Sequence, residues 1–176
     1  GRGWTTESLW FAGIQYLYCF VDGAWLVFRE RSGLPVTSFH TVAIDDAFHL
    51  WVGTRDRGLY GSTAPISLEV LEAAATEPVA MDEHDGSGVF GHEIATALFE
   101  PVWSRQLGAP TNQIETVLWH NGALWVGTPV GLFVFQGDPP HVVKHFTRED
   151  GLDALNATSM QFSPSGFLWL GTNAGL

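Results

Sequence analysis

The chain has a single cysteine, Cys19, which excludes a disulfide framework and a thiolate metal site. It has a single lysine, Lys144, and only eight basic residues against 19 acidic ones, a net charge of −11. That deficit excludes the basic footprint that nucleic acid or an anionic membrane surface requires. Charge of either sign is scarce, at 15% of the 176 residues against the usual quarter, which argues against a solvated disordered chain. No apolar run approaches the roughly 20 residues of a membrane helix. The most apolar stretch, "SLWFAGIQYLYCFV" from Ser8 to Val21, has no basic flank before it and no small-residue cleavage site after it. It therefore does not read as a signal peptide.

The chain is rich in apolar and aromatic residues instead. It is 45% hydrophobic, with eight Trp and twelve Phe, enough to build a core. Two of the Trp sit in identical pentapeptides, "LWVGT" at Leu50 to Thr54 and at Leu124 to Thr128, and a third sits in "LWLGT" at Leu168 to Thr172. Trp51 and Trp125 are 74 residues apart (125 − 51), and Trp125 and Trp169 are 44 apart (169 − 125). The first gap is nearly twice the second, so a weak copy is expected inside it. "VAMDEHDGSGVFGH", Val79 to His92, echoes "VAIDDAFHLWVGT", with Val89 at the Trp position and Gly91 at the Gly position. A further copy upstream, "LWFAG", places Trp10 and Gly13. The rival is a single unit carrying an insertion of about thirty residues, a length uncommon for a loop in a compact domain.

Each strong copy has the same grammar. A short apolar strand leads to a tight polar turn, as in "HNGA", where Asn121-Gly122 is a strong hairpin signal. The Trp-Gly-Thr strand follows, then a short loop, then a Gly that opens a third strand ("GLY", "GLFVF"). A fourth strand ends in "AWLVFRE" or "VVKHFT" and is followed by a Gly-Leu pair, Gly33-Leu34 or Gly151-Leu152. Four short strands in about forty residues, with Gly and aromatic punctuation, is the signature of a β-propeller blade. The expected fold is all-β, an arc of about five blades over 1–31, 32–74, 75–108, 109–149 and 150–176. Trp10, Trp51, Trp125 and Trp169 would wedge between sheets. Gly13, Gly53, Gly91, Gly127 and Gly171 would allow close backbone approach, while Thr54, Thr128 and Thr172 would bond locally. "SLEVLEAAA", Ser67 to Ala75, reads as strand in its first half, with helix as the alternative.

"HNGALWVGTPVGLFVF" with "HFTREDGL", and "SPSGFLWLGTNAGL", resemble the two-component regulator propeller repeat. The first of that family's paired Gly is replaced here by Arg57, Val130 and Ala174. The resemblance implies a seven-bladed ring in the periplasmic or extracellular part of a membrane-bound histidine kinase or diguanylate cyclase. It implies a non-catalytic sensor of a small molecule or glycan, and the missing blades of the same chain as partners. Five blades would form an open arc, poorly stable or self-associating when made alone.

Propellers bind ligands at the end bearing the loops between second and third strands and the loops entering each blade. Those loops nominate Arg55, Arg57, His92, Asn112, Asn156 and Asn173 as ligand-binding residues. Arg forks suit carboxylates or sulfates, although Asp56 lies between the two arginines. Asn112 and Asn156 stand where turn-forming bonds are common. The acidic run Asp82 to Asp85 reads as a solvated turn, and "HEIAT" has Thr96 where a zinc motif needs its second His. No catalytic residue, metal or cofactor is assigned, and no direct membrane contact is expected of this segment. The alternatives to sensing are a protein-interaction scaffold and, behind it, a carbohydrate-active enzyme.

Overall fold

The computed structural model describes residues 8–80 and 90–175. The protein is all-β. The first sheet begins with β1 (Leu9–Ala12), β2 (Leu17–Val21) and β3 (Ala24–Phe28). The second begins with β4 (Phe39–Ile44), β5 (Leu50–Thr54) and β6 (Leu59–Ser62). The chain then leaves this sheet for α1 (Leu68–Ala74), β7 (Ala75–Ala80) and β8 (Phe90–Ile94). It returns as β9 (Phe99–Trp103), the fourth strand of the second sheet. The third sheet is β10 (Thr116–His120), β11 (Ala123–Thr128), β12 (Gly131–Gln136) and β13 (His141–Phe146). The fourth is the pair β14 (Ala157–Phe162) and β15 (Leu168–Thr172).

The strand turns follow from their residues. Asn121 and Gly122 both have positive φ, 50° and 73°, and join β10 to β11 in a two-residue turn whose twist matches the strands. Asp22-Gly23 does the same between β2 and β3. Three short 3₁₀ turns, at Glu30–Ser32, Arg105–Leu107 and Arg148–Asp150, each end in a left-handed glycine: Gly33, Gly108 and Gly151. Each follows the last strand of its unit and turns the chain toward the next sheet.

Successive sheets stack face to face, with β1 against β4, β4 against β10, and β10 against β14. Alternation along β5 distributes its side chains between two interfaces. Leu50 and Val52 join the core shared with the first sheet, and Trp51 joins the core shared with the third. Every residue of β5 is buried in consequence, which is why "LWVGT" is almost continuously apolar. Trp10 packs into the first interface, against Phe28, and Trp125 meets Phe162 of the fourth sheet at 5.2 Å. Trp169 is on the outward side of the fourth sheet and is 59% exposed. Two four-stranded antiparallel sheets, stacked between a five-stranded sheet and a two-stranded one, fit the blades of a β-propeller.

The glycines behave as expected where the sheets approach. A Cβ on Gly53 would stand 2.5 Å from Cγ2 of Ile114, in the segment entering the third sheet. A Cβ on Gly127 would stand 2.7 Å from the carbonyl oxygen of Ala157.

Several expectations are corrected. The described residues form four sheets. The unit expected over 75–108 does not form a sheet of its own. Its hairpin, β7–β8, joins the far edge of the first sheet, where β8 runs parallel to β3. Its last strand, β9, completes the second sheet. The rival reading of an insertion between Trp51 and Trp125 is therefore the one that forms. Gly91 is in β8 opposite Val79, with no part in a Trp-Gly-Thr strand; Val89 lies outside the described residues. The boundaries at 32–74 and 75–108 move accordingly. Gly13 takes the Thr position of its repeat rather than the Gly position. Its carbonyl accepts from Phe39 N at 3.0 Å, as the carbonyl of Thr54 accepts from Ile114 N at 2.8 Å. The Trp-to-Gly offset is three residues there and two elsewhere. "SLEVL" is helical because Ser67 caps it, its side chain accepting from Val70 N at 3.2 Å.

The inserted hairpin is pinned by charge. Glu93 on β8 is buried and accepts from Arg29 Nε at 2.8 Å and Nη2 at 2.9 Å, just beyond β3. Arg31 is 3.7 Å away. These cations hold the Glu93 carboxyl below the usual carboxylate range.

Candidate loop-face binding site

The threonine of each pentapeptide shapes the loop that follows it. Thr54 Oγ1 donates to the Gly58 carbonyl at 2.7 Å and accepts from Arg57 N at 3.0 Å. Thr128 Oγ1 does the same with Gly131 O at 2.8 Å and Val130 N at 3.1 Å. Thr172 repeats it with Gly175 O at 2.8 Å and Ala174 N at 3.2 Å. One hydroxyl thus closes the loop between second and third strands and fixes the residue directly after it, Arg55, Pro129 or Asn173.

These residues lie beside the segments entering each first strand. Arg55 N donates to Ser38 O at 2.9 Å, and Asn173 N donates to Asn156 O at 3.3 Å. Pro129 has no N–H to give at the equivalent place. Asn156 Oδ1 is buried and has no hydrogen-bond partner among the described residues. Arg55 and Arg57 are exposed. Arg57 Nε is 4.0 Å from Asp56 Oδ2, a loose surface pair of little energetic weight. Asp56 accepts instead from the Thr37 hydroxyl.

Asn112 has a structural role. Its side chain accepts from Arg105 N at 2.6 Å, and its carbonyl accepts from Gly58 N at 2.8 Å. It ties the entry to the third sheet onto the loop of the second. His92 is not brought to this end. It lies on β8, beyond β3, and lines a separate cleft of about 370 Å³ with Asp22, Leu68 and Glu72.

The structure adds residues that alternation did not nominate. A bulge in β4 between Phe39 and Thr41 takes His40 out of the ladder, and one in β14 does so for Thr158. His40 Nδ1 is 3.6 Å from Glu115 Oε2, and Gln113 Nε2 donates to Glu115 Oε1. His40, Gln113 and Glu115 therefore bridge the second and third sheets at the start of their first strands. The signal available in sequence was a polar residue directly before each apolar first strand.

The row thus assembled offers a cationic fork (Arg55), a carboxylate (Glu115), an imidazole (His40) and two amides (Gln113, Asn156). This set donates and accepts on a frame held by backbone bonds. Among the described residues no three His, Cys, Asp or Glu side chains group as a metal site would. Asp82 to Asp85 lie outside the described residues. No described helix is long and apolar enough to cross a membrane. No protein-family model and no curated protein matches the chain.

Proposed function

We propose that the chain is a ligand-sensing segment of a β-propeller of the two-component regulator type, without catalysis of its own. In this reading it belongs to the periplasmic or extracellular part of a membrane-bound signalling protein. The observation that supports it is the polar row repeated from sheet to sheet at one end: Ser38 with Arg55, His40 with Glu115, and Asn156 with Asn173. The row spans successive sheets, so one ligand touching two of them would bias how they pack. Alternating donors and acceptors suit a hydroxyl-rich ligand, and a glycan is the class proposed.

The test is a thermal-shift and calorimetric screen with neutral and acidic oligosaccharides, on the wild type and on Arg55→Ala and Glu115→Gln. The expected result is a saturable rise in Tm that both variants weaken. Capture of a protein partner through the same residues, with no glycan shift, would transfer the reading to an interaction scaffold. Glycan turnover abolished by one loop-face substitution would transfer it to an enzyme.

A further inference from the structure

The second and third sheets also leave a cleft of about 480 Å³ between them, at the end opposite the loop face. It opens between the β4–β5 turn, the β6 and β9 ends, and the β12–β13 turn. Its walls are aromatic and apolar, with Trp51 and Val102 from one sheet and Trp119, Leu124 and Phe135 from the other. Three carboxylates line it, Asp45, Glu100 and Asp138, and among the described residues no Lys or Arg does.

Asp45 is held in place. It accepts from Ala47 N at 2.9 Å, His49 N at 2.8 Å and Trp51 Nε1 at 3.2 Å, with His49 Nδ1 at 3.3 Å. These bonds fix a carboxylate against the edge of the Trp51 ring. Glu100 and Asp138 are exposed at the rim. The Trp119 indole nitrogen is buried and has no hydrogen-bond partner among the described residues. A buried donor without an acceptor is costly, and a ligand acceptor would relieve it.

We propose that this cleft binds a small organic cation: an ammonium or guanidinium group on an apolar body, with one hydrogen-bond acceptor. Aromatic faces attract a cation through the ring quadrupole. Three carboxylates, with the His49 imidazole beside Asp45 and no Lys or Arg among the described lining residues, add a negative field in a walled cleft, which concentrates cations. The volume suits a small molecule. The site is separate from the loop face, so its test does not depend on the glycan reading.

The probes are phenylalaninamide, which carries cation, ring and acceptor, and its neutral N-acetyl counterpart. Binding is followed by tryptophan fluorescence and calorimetry at low salt. Phenylalaninamide is expected to bind saturably, with the acetylated probe about tenfold weaker. Glu100→Gln/Asp138→Asn is expected to lower phenylalaninamide affinity about tenfold, given two exposed charges. Its ligand-free Tm should be unchanged, because both side chains are exposed. Trp119→Phe, which keeps the ring and removes the N–H, should weaken phenylalaninamide further than phenethylamine, which lacks the acceptor. Equal binding of charged and acetylated probes would overturn the proposal. So would undiminished binding by the neutralised double variant.

Discussion

Gly53→Ala should be destabilising, although a glycine in extended backbone normally becomes more stable as alanine. That ordinary gain is about 0.4–1 kcal/mol, through the lost freedom of the unfolded chain. Gly53 is not among the glycines with positive φ, so no backbone strain opposes the change. What opposes it is space. The new Cβ would stand 2.5 Å from Cγ2 of Ile114 and 2.5 Å from Cγ2 of Thr41. Carbon atoms rest about 3.5–4.0 Å apart, so both neighbours must move by about 1 Å. Ile114 is fully buried between two four-stranded sheets and has little room to move. Overpacking of this kind costs about 1–3 kcal/mol. Set against the ordinary gain, the net expectation is a loss of about 1 kcal/mol, or about 2–4 °C in Tm for a chain of this size. Urea unfolding with an unchanged m-value would measure it. Thr41→Ser supplies the control, since it removes Cγ2 and keeps the hydroxyl that accepts from Val117 N at 3.1 Å. In the double variant it should recover about 1 kcal/mol, a coupling that distant sites do not show. A neutral or stabilising Gly53→Ala, or strict additivity with Thr41→Ser, would refute the close packing of the second and third sheets.

Other measurements follow from the same structure. Thr54→Val and Thr128→Val should each cost about 1–3 kcal/mol, because both hydroxyls are fully buried and each makes two bonds. Thr172→Val should cost clearly less in the same urea titration, since its bonds are exposed to water. Trp51→Ala should cost about 3–5 kcal/mol, whereas Trp169→Ala should stay within about 0.5 kcal/mol, because the second ring is on an open face. Glu93 should make stability pH-dependent. Its folded pKa lies below the unfolded value of about 4.5, so its contribution is complete above that pH and falls away as pH drops through the folded value. Glu93→Gln should lose about 1 kcal/mol at neutral pH, a modest figure because Arg29 is 41% exposed, and should flatten the acid limb of the curve. Cys19 is fully buried, and burial pushes its thiol up to about 12. A chromogenic disulfide reagent should therefore label it only at the rate of unfolding.

The strands were legible because their information is local. Asn121-Gly122 specifies a turn whatever sheet it serves, and alternation about Trp51 specifies two buried faces. The number of sheets was not legible from the echo at Val79 to His92, because a strand–turn–strand pattern says that a hairpin forms but not which edge it joins. That choice is non-local. It rests on β8 lying parallel to β3 and on Glu93 reaching Arg29, 64 residues earlier in the chain. A better counter was present in the left-handed glycines Gly33, Gly108 and Gly151, which end three connections and so mark four sheets. The middle one is obscured because Ala109 follows it, where Leu34 and Leu152 follow the others. At the loop face the loop positions of Arg55, Arg57 and Asn173 were legible, but His92, which lies on β8, was misplaced and His40 was missed. Its place depends on a bulge, which shifts the alternation by one residue and cannot be seen in a strand five or six residues long.

The recurrence of the pentapeptide then has two separable causes. Trp51 and Gly53 are two residues apart, so both face the third sheet, one filling the space between sheets and the other admitting the entering strand. Thr54 acts within its own sheet. The last copy separates these roles. Thr172 keeps both its loop bonds while Trp169 is exposed, so the threonine bonds form without a neighbouring sheet and the tryptophan burial requires one. Gly13 shows the converse. With no hydroxyl at the Thr position, its carbonyl still accepts from Phe39 N and Trp10 still packs into the interface. Stacking therefore depends on the tryptophan and on the backbone at the fifth position. The threonine hydroxyl holds the loop that follows it, whether the next residue is Arg55, Pro129 or Asn173.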